Sequence, residues 1–208
     1  MTARLVLATH NAGKVAELRD ILTGLDVELL GADDVDLPDV EETGETFAAN
    51  AVLKATVCAA AVGLPCVADD SGLVVDALDG APGVYSARYA GPQRDDEANL
   101  QLVLDRTAGE EAPTARFVCA AAIAMPDGTV KVVEGTMEGT IVRPPRGDNG
   151  FGYDPIFQPE GHDRTSAEMA PEEKHAISHR GRAFRALRPH IHAMLAAAPS
   201  SEPPTEQG

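Results

Sequence analysis

The stretch that most constrains the fold is Arg4-Leu-Val-Leu-Ala-Thr9, a continuous apolar run of strand length that passes directly into His10-Asn11-Ala12-Gly13-Lys14. Val15, Leu18, Ile21 and Leu22 follow at helical spacing, so the order is strand, tight loop, helix. Backbone N–H groups at such a helix start point at whatever lies over the loop, and the helix dipole favours an anion there. Lys14 adds a mobile positive charge at the same end. The segment departs from a Walker A loop, because Ala8 stands in place of the first Gly and Val15 in place of the Ser or Thr that would hold magnesium. Thr9 to Lys14 therefore reads as a phosphate site or as an ordinary strand-to-helix turn.

A second apolar run ends in Val67-Ala68-Asp69-Asp70-Ser71-Gly72. If it buries itself as a strand, it carries two acids and a hydroxyl out at its C-terminal end, where ligands bind in open α/β sheets. The alternative is a solvated Asp-Asp-Ser-Gly turn. Thr43-Gly44-Glu45 looks like the start of a helix that runs to Ala61 and is stopped by Gly63 and Pro65. Ala, Val and Leu surround that helix, as in a buried one, except on the face that carries Asn50 and Lys54 four residues apart. Lys54 either snorkels to the surface or pairs with an anion in a cleft. Glu41 and Glu42, just before the helix, bring a carboxylate towards the same cleft or form a solvated acidic loop.

Gly80-Ala-Pro-Gly83 is a shaped loop, and Arg88 follows it as a candidate phosphate contact. Asp95 to Arg106 is an amphipathic structural helix. Phe117 to Met125 and Lys131 to Ile141 read as strands joined through an Asp127-Gly128 hairpin, which adds antiparallel strands to the parallel units and makes a mixed sheet. In Gly150-Phe151-Gly152-Tyr153-Asp154, the flanking glycines leave the Phe151 ring face open to a planar ligand. Thr165 to Glu168 fits a capping box, Pro171 starts a short helix, and Ser178-His179-Arg180-Gly181 opens a last helix that Pro189 kinks. Residues 199–208 form a polar, Pro-rich tail expected to be disordered.

At 208 residues with a net charge of −16, the chain suits one large domain or two small lobes and argues against a nucleic-acid polymer or an anionic membrane as partner. It has four lysines, and three of them, Lys14, Lys54 and Lys174, fall inside the stretches above. Gathered locally, they would admit a small anionic substrate. Cys58, Cys66 and Cys119 lack metal spacing and read as reduced thiols. No membrane-length apolar run and no signal-peptide core is seen, which predicts a cytoplasmic protein.

Five blocks stand in one order: Ala8 to Lys14; Glu41 to Asn50 with Lys54; Ala68 to Gly72 with Gly80 to Arg88; Gly150 to Asp154; and Glu173-Lys174 with Ser178 to Gly181. Together they closely resemble the inosine/xanthosine triphosphate pyrophosphatase family over nearly the full chain. The resemblance implies a long twisted mixed β-sheet flanked by helices, an α/β fold of two lobes with a central cleft, spanning residues 1–198. It also implies a homodimer and hydrolysis of ITP, dITP, XTP and dXTP to the monophosphate and pyrophosphate with Mg²⁺. By position, Thr9, His10, Asn11, Ala12, Gly13 and Lys14 resemble the family's triphosphate loop, Lys54 and Lys174 its phosphate-contacting lysines, and Asn50, Ser71 and Arg88 further substrate contacts. Asp70 matches the proton acceptor and a metal ligand, with Asp69 and Lys54 completing the catalytic group and Glu41 ahead of Glu42 as second metal ligand. Phe151, Gly152, Tyr153 and Asp154 match base-recognition segments, as do His179 and Arg180. His10 stands where a small residue is more usual. Two other readings are a non-catalytic nucleotide sensor on the same scaffold and a septum-inhibitor-type pyrophosphatase acting on other nucleotides.

Overall fold

The computed structural model describes residues 2–197; the expected disordered tail, 199–208, lies outside them. Six strands form one mixed sheet: β1 (Ala3–Leu7), β2 (Val27–Leu30), β3 (Cys66–Val75), β4 (Thr114–Ala124), β5 (Val130–Ile141) and β6 (Phe157–Pro159), in the order β2-β1-β3-β4-β5-β6. β1 pairs in parallel with β2 and β3, and the other pairings are antiparallel. The β4–β5 hairpin turns at Asp127-Gly128, with Gly128 at φ 89° and the Asp127 carboxylate accepting the Thr129 N–H at 2.8 Å.

Five helices cover the sheet: α1 (Ala12–Ile21), α2 (Phe47–Val62), α3 (Asp96–Arg106), α4 (Pro171–Ile177) and α5 (His179–Ala197). One face packs Ala51, Ala55 and Ala59 of α2 on Val6, Ala68 and Ala122. The other packs Leu18 of α1 and Phe184, Leu187 and Ile191 of α5 on Leu5, Val67 and Ile123. The far ends of β3, β4 and β5 carry a third core, Leu73, Leu100, Val103, Phe117, Met137 and Phe157.

Two expectations change. α2 begins at Phe47 rather than Thr43, because Thr46 is the cap, its hydroxyl accepting the Ala49 N–H at 3.1 Å, while the Asn50 side chain takes the Gly44 N–H and holds the preceding residues out of the helix. α5 runs through Pro189 to Ala197, the extent expected of the last helix. Most consequentially, Asp69-Asp70-Ser71 does not sit at a strand end. β3 runs on through Gly72 to Val75, paired residue by residue with β4 from Cys66↔Ala124 to Val75↔Ala115.

The cleft arises instead from the shortness of β1. It pairs with β3 only at Val6↔Cys66 and Leu7↔Val67, then turns away into the Thr9–Asn11 loop. From Ala68 onward that edge of β3 has no strand beside it until the 3₁₀ segment Gly83–Arg88 arrives, tied by the Leu73 N–H to the Ser86 hydroxyl at 2.9 Å. Gly72 lies under this segment, where a Cβ would strike the Ser86 hydroxyl and the Gly83 carbonyl.

Candidate active site

Side chains alternate across a strand, so the two adjacent acids of β3 face opposite ways. Asp70 points to α2: its Oδ2 accepts from Asn50 Nδ2 at 3.0 Å, and its Oδ1 lies 3.8 Å from Lys54 Nζ. Asn50 uses the other end of its amide on the Gly44 N–H at 2.7 Å, so it orients Asp70 and is not free for a ligand. Lys54 Nζ is 2.5 Å from Glu42 Oε1, and Glu42 Oε2 lies 3.7 Å from Arg88. Lys54 is thus in the cleft and not snorkelling.

Asp69 points to the α1 and α5 side. Its Oδ2 meets Lys14 Nζ at 3.1 Å and Arg180 Nε at 3.2 Å, and it accepts the Ser71 hydroxyl at 3.1 Å. Arg180 also donates to Ser71 Oγ at 2.8 Å and, through Nη1, to Glu17. Glu17 reaches Lys174 Nζ at 3.0 Å, and Lys174 continues to Asp154 at 2.7 Å. The Phe151 N–H closes this chain on Asp154 at 2.9 Å, with the Phe151 ring 5.3 Å from Lys174 Nζ. His179 stacks on Phe117 with ring centroids 4.7 Å apart, and its buried Nδ1 has no hydrogen-bond partner among the described residues.

Two cavities follow from this division. The inner one is lined by Ser71, Phe117, Phe151, Asp154, Lys174 and His179, and the outer one by Thr9, His10, Glu41, Glu42 and Lys54. Asn11, Lys14 and Ala87 line both, so the cavities join at the start of α1. There Asn11 caps the helix by accepting the Lys14 N–H at 3.0 Å, and Thr9 Oγ1 accepts the Asn11 N–H at 3.2 Å. The Ala12 and Gly13 N–H groups belong to the first turn, which no helical carbonyl reaches.

Several candidate residues sit differently from expectation. Lys174, expected with Lys54 as a phosphate contact, lines the inner cavity with Phe151 and not the outer cavity with Lys54. Arg180 lines the inner cavity as expected, but it is only 2% exposed and its guanidinium is committed to Asp69, Glu17 and Ser71, so it forms a fixed part of the wall. Tyr153 gives its hydroxyl to the Ser86 carbonyl at 2.7 Å. His10 is exposed, with Nδ1 3.8 Å from Asp39. Glu42 is engaged by Lys54 and Arg88, whereas Glu41, on the same cavity wall, makes no ion pair among the described residues. Sequence reading missed Glu17. Its spacing of three from Lys14, which puts both on one face of α1, was the available signal.

Residues 5–190 match the family model described as the Ham1 family. This chain belongs to the Ham1 family. It is 59% identical over 197 residues to the dITP/XTP pyrophosphatase of Streptomyces coelicolor, covering 92% of this chain and 98% of that one. The dITP/XTP pyrophosphatase of Rhodospirillum centenum is 56% identical, covering 88% and 92%. Among solved structures, the Staphylococcus aureus Ham1 protein superposes with a TM-score of 0.82 at 41% identity, covering 92% of this chain and 99% of that one. The nucleoside-triphosphatase / dITP/XTP pyrophosphatase of Mycobacterium abscessus does so at 0.72 and 49%, covering 89% and 99%.

The electrostatics of this Ham1 cleft separate the two acids as sharply as the geometry does. Burial alone would raise the Asp69 carboxyl, but Lys14, Arg180 and Lys54 together hold it well below the carboxylate range. Asp70 goes the other way: burial and the neighbouring Glu42 raise it despite Lys54 and Asn50. Burial would lower the Lys54 ammonium, but Asp69, Asp70 and Glu42 raise it, and Lys174 is likewise raised by Asp154 and Glu17. His179 is held well below 6.5 by burial and by the Arg180 and Lys174 charges, so its ring is neutral at pH 7. The outer cavity thus offers oxygen donors beside fixed cations, and the inner one an aromatic-lined slot with the Lys174–Asp154 ion pair in its wall. Among the described residues no helix is long and apolar enough to cross a membrane.

Proposed function

We propose that this cleft hydrolyses purine nucleoside triphosphates of the deaminated kind, ITP, dITP, XTP and dXTP, to the monophosphate and pyrophosphate, and so removes them from the nucleotide pool. The observation that carries this reading is the junction at Asn11 and Lys14, where a helix N-terminus and a lysine join an aromatic-lined slot to a cavity holding carboxylates and lysines. A nucleotide laid across it places its base by Phe151, Lys174 and His179 and its phosphates by Thr9 to Lys14, Lys54 and Arg88. The family resemblance and the names of the relatives point the same way. The same resemblance favours a cytoplasmic homodimer, and sedimentation velocity tests the dimer.

The donor set suits a hard divalent cation, which takes a few carboxylates and completes its shell with phosphate and water. Burial and Glu42 load Asp70 with unfavourable charge that a cation would relieve. Asp70 with Glu41, which no cation engages among the described residues, would hold Mg²⁺; bound there, it would neutralise phosphate charge and lower the pKa of a nearby water. In hydrolysis a water oxygen bonds to the α-phosphorus while the bond to the bridging oxygen breaks and pyrophosphate leaves. Asp70 takes the water proton, held in place by Asn50, and Lys14 and Lys54 offset the charge on the phosphates.

Base choice falls to the inner slot. Hypoxanthine and xanthine carry a 6-keto acceptor where adenine carries an amino donor. The one Lys174 N–H not spent on Glu17 and Asp154 can meet a keto oxygen and is left unpaired against adenine, and a mismatch of this kind can reach about 10⁴-fold in suitable sites. Pyrophosphate release measured across ITP, dITP, XTP, ATP, GTP, CTP and UTP, with and without Mg²⁺, tests the proposal. Release confined to the deaminated purines is expected. Release confined to pyrimidine nucleotides would favour the septum-inhibitor type, and binding without any release a sensor.

A further inference from the structure

We propose that Asp96, in the first turn of α3, is a positioning residue for the Gly150–Tyr153 loop and thereby for purine binding; this rests on the reading of the inner cavity as the base slot. Among the described residues, three hydrogen bonds that involve a side chain tie that loop, besides the backbone turn from Phe151 and Tyr153 to Asp154 and Ile156. The Phe151 N–H bonds Asp154 at 2.9 Å and the Tyr153 hydroxyl bonds the Ser86 carbonyl at 2.7 Å, both within the protein. The third, the Gly152 N–H to Asp96 Oδ2 at 3.0 Å, lies at the exposed mouth of the slot and comes from a segment 56 residues away.

The loop needs that outer tie. Gly150 and Gly152 sit at φ 76° and 62°, so Phe151 is flanked by the two residues that lose most backbone freedom on ordering. The ring it carries is closely placed: a Cβ on Gly13 would come within 3.2 Å of it, so a small shift of the loop moves the ring against the α1 loop. An acid in a first helical turn is favourable by itself through the helix dipole. That role is already filled in α3, where Asp95 caps by accepting the Ala98 N–H at 2.9 Å and Glu97 supplies another first-turn charge. Asp96 differs from both in that its carboxylate reaches the loop and lines the slot.

Steady-state kinetics with dITP, inhibition by inorganic tripolyphosphate and thermal midpoints test the assignment on wild type, Asp96→Ala and Asp96→Asn. Loss of a single charge-assisted hydrogen bond predicts that Asp96→Ala raises KM about three- to tenfold with kcat little changed. Tripolyphosphate engages the phosphate end alone, so its inhibition constant stays at the wild-type value. Asp96→Asn keeps an acceptor for the Gly152 N–H and returns KM to near wild type. An Asp96→Ala protein with wild-type KM, an Asn variant that fails to rescue, or KM and tripolyphosphate inhibition weakening together would each overturn the proposal. A wild-type protein that turns over none of the purine triphosphates would instead remove the reading of the slot itself.

Discussion

Asp69 and Asp70 are neighbours in sequence, yet their carboxylates lie on opposite faces of β3, one bonded to Lys14 and Arg180 and the other bonded to Asn50 and 3.8 Å from Lys54. A turn would have let both acids point into one cleft. The strand forbids it, and the two therefore have different work to do: Asp69 is a fixed anion that anchors cations, and Asp70, raised by burial and Glu42, is suited to take a proton.

The two asparagine variants should separate accordingly. Asp70→Asn is expected to stay folded, since an amide can still meet Asn50, and to lose pyrophosphate release by about two orders of magnitude or more. Asp69→Asn leaves the buried Arg180 with less compensation and is expected to lose about 3 kcal/mol of stability. Denaturant melts alongside turnover check both. Near-normal turnover in Asp70→Asn would sink its assignment as the base.

Lys54 touches Glu42 and Asp70 from a half-buried position. Lys54→Ala should raise KM or lower turnover about tenfold or more while the thermal midpoint moves by only a few degrees. Isothermal titration of the product pyrophosphate, in parallel with kinetics, distinguishes lost phosphate contact from lost chemistry.

Glu17 stands between Arg180 and Lys174, all three buried. Glu17→Gln removes the shared anion while each cation retains one acidic partner, Asp69 or Asp154. A destabilisation of about 3 kcal/mol, at the low end for a broken buried pair, is expected in urea unfolding. A smaller effect on Asp70 chemistry should accompany it, because Glu17 lies on the other side of the sheet.

His179 has a folded-state pKa depressed below 6.5, so on acidification the unfolded chain takes up the proton first. Stability should therefore be fully present above about pH 6.5 and decline below it, by at most about 1.4 kcal/mol per pH unit from this group. Unfolding free energies from pH 7.5 to 5, compared between wild type and His179→Asn, measure the slope. The variant should lose a matching part of it. Proton NMR of the His179 ring should show the neutral form throughout pH 6 to 8.

Much of the molecule was legible in local pattern. The apolar run before Thr9, the helical spacing after it, the Asp127-Gly128 turn and the Thr165–Glu168 capping box depend on contacts within a few residues, and each stands in the structure. Long-range pairing was not legible. That β3 runs through two acids and a glycine is imposed by β4, whose unbroken hydrogen bonding outweighs the turn preference of Asp-Asp-Ser-Gly.

Residue types and their order along the chain determined by themselves that this is an α/β protein with anion-handling loops, three well-placed lysines and paired acids. Only the tertiary structure decided which acid meets which cation. Lys174 and Arg180 both went to the inner cavity because Glu17, Asp154 and Asp69, from three separate elements, converge there, and buried charges settle wherever partners are in reach. The cleft, too, belongs to tertiary structure: β1 pairs with β3 at only two residues, and Asp69 and Asp70 lie on the edge of β3 it leaves open.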